Sequence, residues 1–396
     1  MATQPHIYRL TAPEERRRIG ASAGDVLRNL DYLLLAAVAG LAAYGLWIVR
    51  TVTVDDITGD PGYFVRRQGI YLAAGALAFA LMAWIDPERL RQLRHVLFAG
   101  AIALMVLVLA IGSDVRGSKR WIDLSFFQLQ ASELGKIALI VFIAGFLASR
   151  ANDLESVWTV LAAVGIALGP ALLVFLEPDF GSAIVYGFAL IGALFFAGVR
   201  WQHLAALATV GVVLALAVVW ILPSLGVDVL KPYQVDRLVG FVDPDSDPSG
   251  TTWNVNQAIT AVGAGGLDGR GVVGATQTRL DYLPEHHTDF VFASLAEQRG
   301  FLGAAILLLL YAIVIWRGMR IVAGATSLFQ ATLAGSIVAT LLFQVFLNVG
   351  MNIGIAPITG ITLPFVSYGG SSLIVSLAMV GILEAVHVRG RIGARR

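Results

Sequence analysis

The sequence predicts an all-α, polytopic integral membrane protein with about ten transmembrane helices, on three observations. Hydrophobic residues make up 57% of the 396-residue chain and charged residues only 14%, whereas a soluble domain is about one quarter charged. Apolar runs close to the ~20 residues that cross ~30 Å of hydrocarbon recur from Leu33 to near His387. A soluble chain of this length would divide into domains, each wrapped in polar surface, so residues 1–396 read instead as a single membrane domain.

The apolar runs place spans at 31–49, 65–85, 95–112, 133–149, 157–176, 180–199, 203–222, 292–316, 328–352 and 368–388. Residues 1–29 are polar, with Glu14, Glu15 and the Arg16-Arg17-Arg18 run, and the first apolar segment outlasts a signal h-region. It is therefore expected to be a retained span. Arginines gather in the N-terminal tail (1–30), in the 86–94 loop (Arg89, Arg91, Arg94), at Arg150, Arg200, Arg317 and Arg320, and in the C-terminal tail 389–396. By the positive-inside rule these segments, and both termini, are expected on the cytoplasmic side. Segments 50–64 and 113–132 and the large loop 223–291 between spans 7 and 8 then lie outside, with a Pro-rich re-entrant stretch around 353–367.

Composition also excludes some functions. The net charge of +1 leaves no broad nucleic-acid footprint. The absence of cysteine removes disulfides, thiol catalysis and thiolate metal sites. No internal repeat is evident to support an inverted-repeat transporter.

Polar residues concentrate in the expected outside segments. The run Gly117-Ser118-Lys119-Arg120-Trp121 precedes Gln130-Ala131-Ser132-Glu133-Leu134-Gly135-Lys136, where Glu133 and Lys136 share one helix face. A mutual ion pair that lets the helix insert and, with Lys119 and Arg120, a cationic cluster for an anionic head group are two compatible readings, in which Glu133 orients Lys136. Glu177-Pro178-Asp179-Phe180-Gly181 reads first as a turn and helix cap. The glycines from Gly263 to Gly274, followed by Ala275-Thr276-Gln277, permit close approach to other backbone or to phosphate. The Lys-Ser/Thr and preceding strand of a P-loop are missing. Leu283-Pro284-Glu285-His286-His287-Thr288-Asp289-Phe290 runs into span 8, so Asp289 is either an N-cap or a general base tuned by partial desolvation. The spacing of Glu285, His286, His287 and Asp289 matches no usual ligand pattern, and no metal site is assigned. The prolines and glycines of 354–372 break a helix at membrane depth, which is tolerated where backbone lines protein or a wet cavity.

Five of these motifs, in order, resemble the SEDS family of cell-wall glycosyltransferases (shape, elongation, division and sporulation) across nearly the whole chain. They are Lys119-Arg120-Trp121 with Gln130 to Lys136; Pro178-Asp179-Phe180-Gly181; the Gly-rich run through Gln277; Leu283-Pro284-Glu285 with His287-Thr288-Asp289-Phe290; and Leu363-Pro364-Phe365-Val366-Ser367-Tyr368-Gly369-Gly370-Ser371-Ser372. The Gly-rich run and Pro357-Ile358-Thr359-Gly360 resemble the elongation branch more than the division branch. The chain departs from the family pattern in Ala131, where proline is usual, and in Glu177, where glutamine is usual.

The resemblance implies polymerisation of lipid II into glycan strands at the outer face of the cytoplasmic membrane, with inversion and Asp289 as general base. It implies substrate contacts from Lys119, Arg120, Gln130, Glu133, Lys136, Gln277, His287 and Ser367. No cofactor is firmly implied, although a divalent cation (Mg or Mn) could share the charge of the departing diphosphate. Expected partners are a class B penicillin-binding protein and the elongation complex. Other readings are a flippase or transporter for the lipid-linked precursor, a division-type member of the same family, and a scaffold for cell-wall enzymes.

Overall fold

In the computed structural model the described residues are 23–57, 59–115, 118–123, 128–225, 235, 241, 251–280 and 282–394. A short helix α1 (Ala23–Asn29) leads into α2 (Tyr32–Val52), α3 (Tyr63–Trp84) and α4 (Pro87–Ile111). Three short strands follow, β1 (Ser113–Val115), β2 (Ser118–Asp123) and β3 (Gln128–Gln130), and then α5 (Ala131–Ser149), α6 (Val157–Leu176), α7 (Phe180–Ala197) and α8 (Trp201–Leu216). Beyond the loop come α9 (Thr251–Gly265), the single turns α10 (Gly271–Gly274) and α11 (Thr276–Arg279), and the long helices α12 (Val291–Ala323), α13 (Leu328–Asn352) and α14 (Gly370–Ala394).

Each expected span coincides with a helix. Eight of these are long and apolar enough to cross a membrane. The other two are α3, with Arg66 and Arg67 near its start, and α8, which is shorter and continues into a π-helical turn over 217–221. The chain is thus an all-α, multi-pass membrane protein.

α13 and α14 form the most enclosed part of the bundle. α14 packs along α3, α13 along α7 and α5, α12 along α2, and α4 along α5. Small residues let these backbones meet. A Cβ on Gly381 would lie 2.5 Å from the Phe79 carbonyl oxygen, so α3 and α14 touch where only hydrogen fits.

Several expected boundaries are corrected. The segment 86–94 is not a loop: Asp86 caps α4 by accepting from the Glu88 N–H, Pro87 opens the helix, and Arg89, Arg91 and Arg94 occupy its first turns. Hydropathy marks only the apolar stretch, whereas the Asp-Pro cap marks the true start. α12 likewise runs past 316, so Arg317 and Arg320 are helical and not in a turn. Arg317 reaches Asp31 at 2.5 and 2.7 Å, and the Asp31 N–H donates to Glu384 at 3.0 Å, which gives this arginine a partner inside the bundle.

The segment expected as a plain loop at 113–132 holds an antiparallel sheet in the order β1-β2-β3, with Trp121 opposite Gln130 and Asp123 opposite Gln128. β1 and β3, at three residues each, are too short to show alternation in sequence. In the large loop, 223–225 and 251–291 are mostly helix or tight turn, and most of 226–250 lies outside the described residues. The stretch 353–367 is non-helical as expected, and it is buried at Ile358, Leu363, Phe365 and Val366.

Candidate active site

In the turn 283–290 the backbone carbonyl groups are held by side chains and backbone from outside the turn. Four consecutive carbonyl oxygens accept hydrogen bonds from three parts of the fold. His286 accepts from Ser294 Oγ at 3.1 Å and His287 from the Tyr368 N–H at 2.8 Å. Thr288 accepts from Ser367 Oγ at 2.6 Å, and Asp289 from Asn348 Nδ2 at 2.9 Å and Asn352 Nδ2 at 3.2 Å. Within the turn, the N–H groups of Thr288 and Phe290 donate to the Glu285 carbonyl, and Glu285 sits at φ +53°, a left-handed conformation. Buried carbonyls demand partners, and here the partners come from α12, α13 and the 363–369 segment, so the Cα of Asp289 is fixed from three sides.

The helix start does not support the N-cap reading of Asp289. The N-cap of α12 is Phe290, with no side-chain cap. Asp289 lies one residue earlier, half-buried.

A second cluster forms where β3, the start of α5 and the α6–α7 turn meet. Asp179 caps α7 through the Ser182 N–H at 3.1 Å, as the turn-and-cap reading expects. Its other oxygen accepts from Gln130 Nε2 at 2.7 Å and Ser132 Oγ at 3.4 Å, and Arg120 approaches to 3.9 Å. Glu133 and Lys136 pair at 2.7 Å, with the lysine side chain only 1% exposed, so the mutual ion pair is the arrangement present. Arg120, at 30% exposure and stacked near the Trp121 ring, is the more accessible cation. The Lys119 side chain lies outside the described residues. Glu177 is fully buried, with neither carboxylate oxygen hydrogen-bonded. Desolvation, and then the neighbouring Asp179, push its pKa up to about 8, against a smaller lowering by Arg120.

The 363–372 segment joins the two clusters. Ser371 Oγ accepts from the Gln130 N–H at 3.0 Å and donates to the Gln128 carbonyl at 2.8 Å. Ser367 Oγ accepts from the Leu363 N–H while donating to Thr288, and the Ser367 carbonyl accepts from Gln68 Nε2 at 3.0 Å.

Residues 31–392 match the FtsW/RodA/SpoVE family of cell cycle proteins. The chain belongs to this family. It is 36% identical over 359 residues to the peptidoglycan glycosyltransferase MrdB of Escherichia coli K12, covering 91% of this chain and 94% of that protein. A chain from a peptidoglycan synthase complex, solved in work on how polymerization and crosslinking are coordinated, superposes with a TM-score of 0.77 at 31% identity, over 91% of this chain and 98% of the other. The crystal structure of Thermus thermophilus rod shape determining protein RodA superposes with a TM-score of 0.67 at 29% identity, over 90% and 96%.

Within this FtsW/RodA/SpoVE member, some candidate residues support the site through backbone or positioning contacts. Ser367 Oγ gives its one proton to the Thr288 carbonyl and accepts from the Leu363 N–H. Gln277 meets the turn through its carbonyl, which accepts from the Leu283 N–H at 3.1 Å. The His287 ring packs between Phe64 and Tyr368, with centroids at 4.8 and 5.6 Å.

The glycine-rich run approaches backbone, as one of its two readings expects. A Cβ on Gly265 would lie 2.0 Å from the Ala296 carbonyl oxygen, and one on Gly269 2.4 Å from that of Gln298. α12 is interrupted there by Gly300 at φ +63°, ψ −163°. The break frees the Phe301 and Leu302 N–H groups and the Glu297 carbonyl, and the loop satisfies all three, through Gly266 O, Leu267 O and the Arg270 N–H.

Sequence reasoning passed over several residues. Glu297, fully buried, accepts from the N–H groups of Gln277 and Thr278 and from Thr278 Oγ1, a charge inside an apolar run that could have flagged it. Asn348, Asn352 and Gln68 carry a weaker signal, as lone amides in apolar helices. Asp56, in the α2–α3 loop, lies beside His286 and His287 and gave no local signal at all.

Proposed function

We propose that this chain is a peptidoglycan glycosyltransferase of the elongation type, polymerising lipid II at the outer face of the cytoplasmic membrane, with both termini inside. The observation that carries the reading is the carbonyl-pinned turn that fixes Asp289, together with a family whose members include a named peptidoglycan glycosyltransferase.

Asp289 takes the proton from the acceptor sugar 4-hydroxyl as that oxygen attacks the donor anomeric carbon. The bond to the polyprenyl diphosphate breaks with inversion. One base is enough because the diphosphate departs without protonation. Arg120, held near Asp179, offsets the charge that develops on the leaving group, with Lys119 as its neighbour in sequence. Lys136 acts indirectly, since it is enclosed with Glu133.

A hard-oxygen cage for Mg or Mn is not assembled among the described residues near Arg120. Both Asp179 oxygens already hold protein donors and Glu177 is sealed. A transpeptidase of class B penicillin-binding type, within the elongation complex, is the proposed partner, in line with the synthase complex that contains the similar chain.

The test is lipid II polymerisation by purified protein, with and without the transpeptidase, comparing native with Asp289→Asn. Long glycan from the native chain and none from a folded variant is expected. Equal product from both would remove Asp289 as base, and no product from either would shift the reading to a flippase or scaffold.

A further inference from the structure

We propose that Asp56, His286 and His287 bind a zinc-class divalent ion that ties the α2–α3 loop to the turn carrying Asp289. The observations stand independently of the glycosyltransferase reading.

The two imidazoles and the carboxylate converge on one point. His286 Nε2 lies 3.2 Å from Asp56 Oδ2 and His287 Nδ1 lies 3.8 Å from the same oxygen. The three potential ligand atoms all fall within 4.8 Å of one another. Tetrahedral coordination with bonds of about 2.0–2.1 Å sets ligand atoms about 3.3 Å apart, close to the 3.2 Å between His286 and Asp56 and shorter than the 3.8 Å between His287 and Asp56. The side chains are 7% (His286), 16% (His287) and 16% (Asp56) exposed, and Asp56 as a whole residue is exposed, so the histidines are the enclosed donors and the carboxylate is the one open to water.

A second observation concerns the far side of the His286 ring. Its Nδ1 is 3.2 Å from the Leu283 carbonyl oxygen, which can only accept, so Nδ1 carries the proton. In the neutral ring Nε2 then presents its lone pair to Asp56. Metal-bound histidines recurrently donate the remaining N–H to a backbone carbonyl in this way. Protonating His286 would satisfy one contact, but protonating both rings would set two cations 5.2 Å apart by centroid. One divalent ion serves all three groups at once.

Two nitrogen donors and one carboxylate select zinc or cobalt over magnesium and calcium, which take oxygen cages. Asp56 also borders a cavity of about 170 Å³ lined by Thr51, Asp55, Thr278, Arg279 and Gln298, which neither histidine lines. Asp56 lies more than two hundred residues from the histidines in sequence, so the ion would act as a long-range clip beside Asp289.

The experiment uses the full chain in detergent micelles, stripped with a chelator, reloaded with zinc sulfate and desalted. Elemental analysis is expected to find about one zinc per chain, with less than a tenth of that in Asp56→Asn and His286→Gln. Cobalt loading of the native chain, which needs no variant, is expected to give visible d–d bands of a low-coordinate site that zinc bleaches. Zinc, and not magnesium, is expected to raise the melting temperature of the stripped protein. Metal content that is the same in native and variants, or a native cobalt spectrum indistinguishable from aqueous cobalt, overturns the proposal.

Discussion

The side-chain amide of Asn348 donates to the Asp289 carbonyl at 2.9 Å and to the Ile361 carbonyl at 2.8 Å, so one residue of α13 holds both the turn before α12 and the non-helical segment after α13. The Asn352 amide repeats half of this pattern and also accepts from the Ala293 N–H at 3.0 Å. Removing one partner of a buried hydrogen bond costs about 1–3 kcal/mol because the other is left unsatisfied. Asn348→Leu removes the amide, taking this donor from the Ile361 carbonyl and leaving the Asp289 carbonyl with Asn352 alone. We expect a folded protein whose glycan-forming rate falls by about tenfold or more, since 1.4 kcal/mol is a factor of ten. Steady-state polymerisation, with melting temperature as the folding control, checks this; an unchanged rate would show that the turn keeps its shape without the clamp.

Gly300 predicts a larger loss. At φ +63°, ψ −163° it occupies a region essentially reserved for glycine, and a Cβ there would lie 2.4 Å from the Gly269 nitrogen and the Leu267 oxygen. Strain of this kind costs about 1–3 kcal/mol before the clash is counted. Gly300→Ala is expected to lower stability by about 3 kcal/mol or more and to reduce the folded yield, read by melting in micelles and by size-exclusion profile.

The pH dependence of stability should show Glu177. Its pKa is raised from an ordinary value near 4.5 to about 8 in the folded chain, chiefly by desolvation and then by Asp179. Between those values the folded state binds the extra proton, so stability is greatest at the acid end and falls as pH rises from about 4.5 to about 8, flattening above. Glu177→Gln keeps the neutral shape. It should flatten that part of the profile and melt at a higher temperature than native at alkaline pH. Parallel slopes for native and variant would mean that Glu177 is ionised throughout.

How far these features were legible depends on how local their signal is. The spans follow from hydropathy because a bilayer tolerates only self-satisfied helices. Asp289 stood out because a carboxylate next to an apolar helix start has few uses. The α4 start was misplaced because arginine-rich first turns look like loop to a hydropathy window, although Asp86-Pro87 held the cap signal. That the Ser367 hydroxyl bonds the Thr288 carbonyl and that Gln277 is held through its backbone are contacts that a motif alone does not show. Asp56 could not be found, since only the folded chain brings it to His286. The glycine run left phosphate or backbone open, and Gly300, one of many glycines, identifies its backbone partner only once the break in α12 is seen.

The Glu133–Lys136 pair separates structural from substrate roles most sharply. Both side chains are buried, and they meet at 2.7 Å within one turn of α5. Breaking such a pair leaves an uncompensated charge and costs about 3–5 kcal/mol, whereas replacing both partners with neutral side chains is often close to neutral. Lys136→Met alone should therefore melt far below native, and Glu133→Gln with Lys136→Met should recover most of the difference. If Arg120 is the group that meets the diphosphate, the double variant keeps polymerisation within about tenfold of native, while Arg120→Ala loses far more with little change in stability. A double variant that is as stable as native but inactive would move the leaving-group role to Lys136, and would require the pair to open when substrate binds.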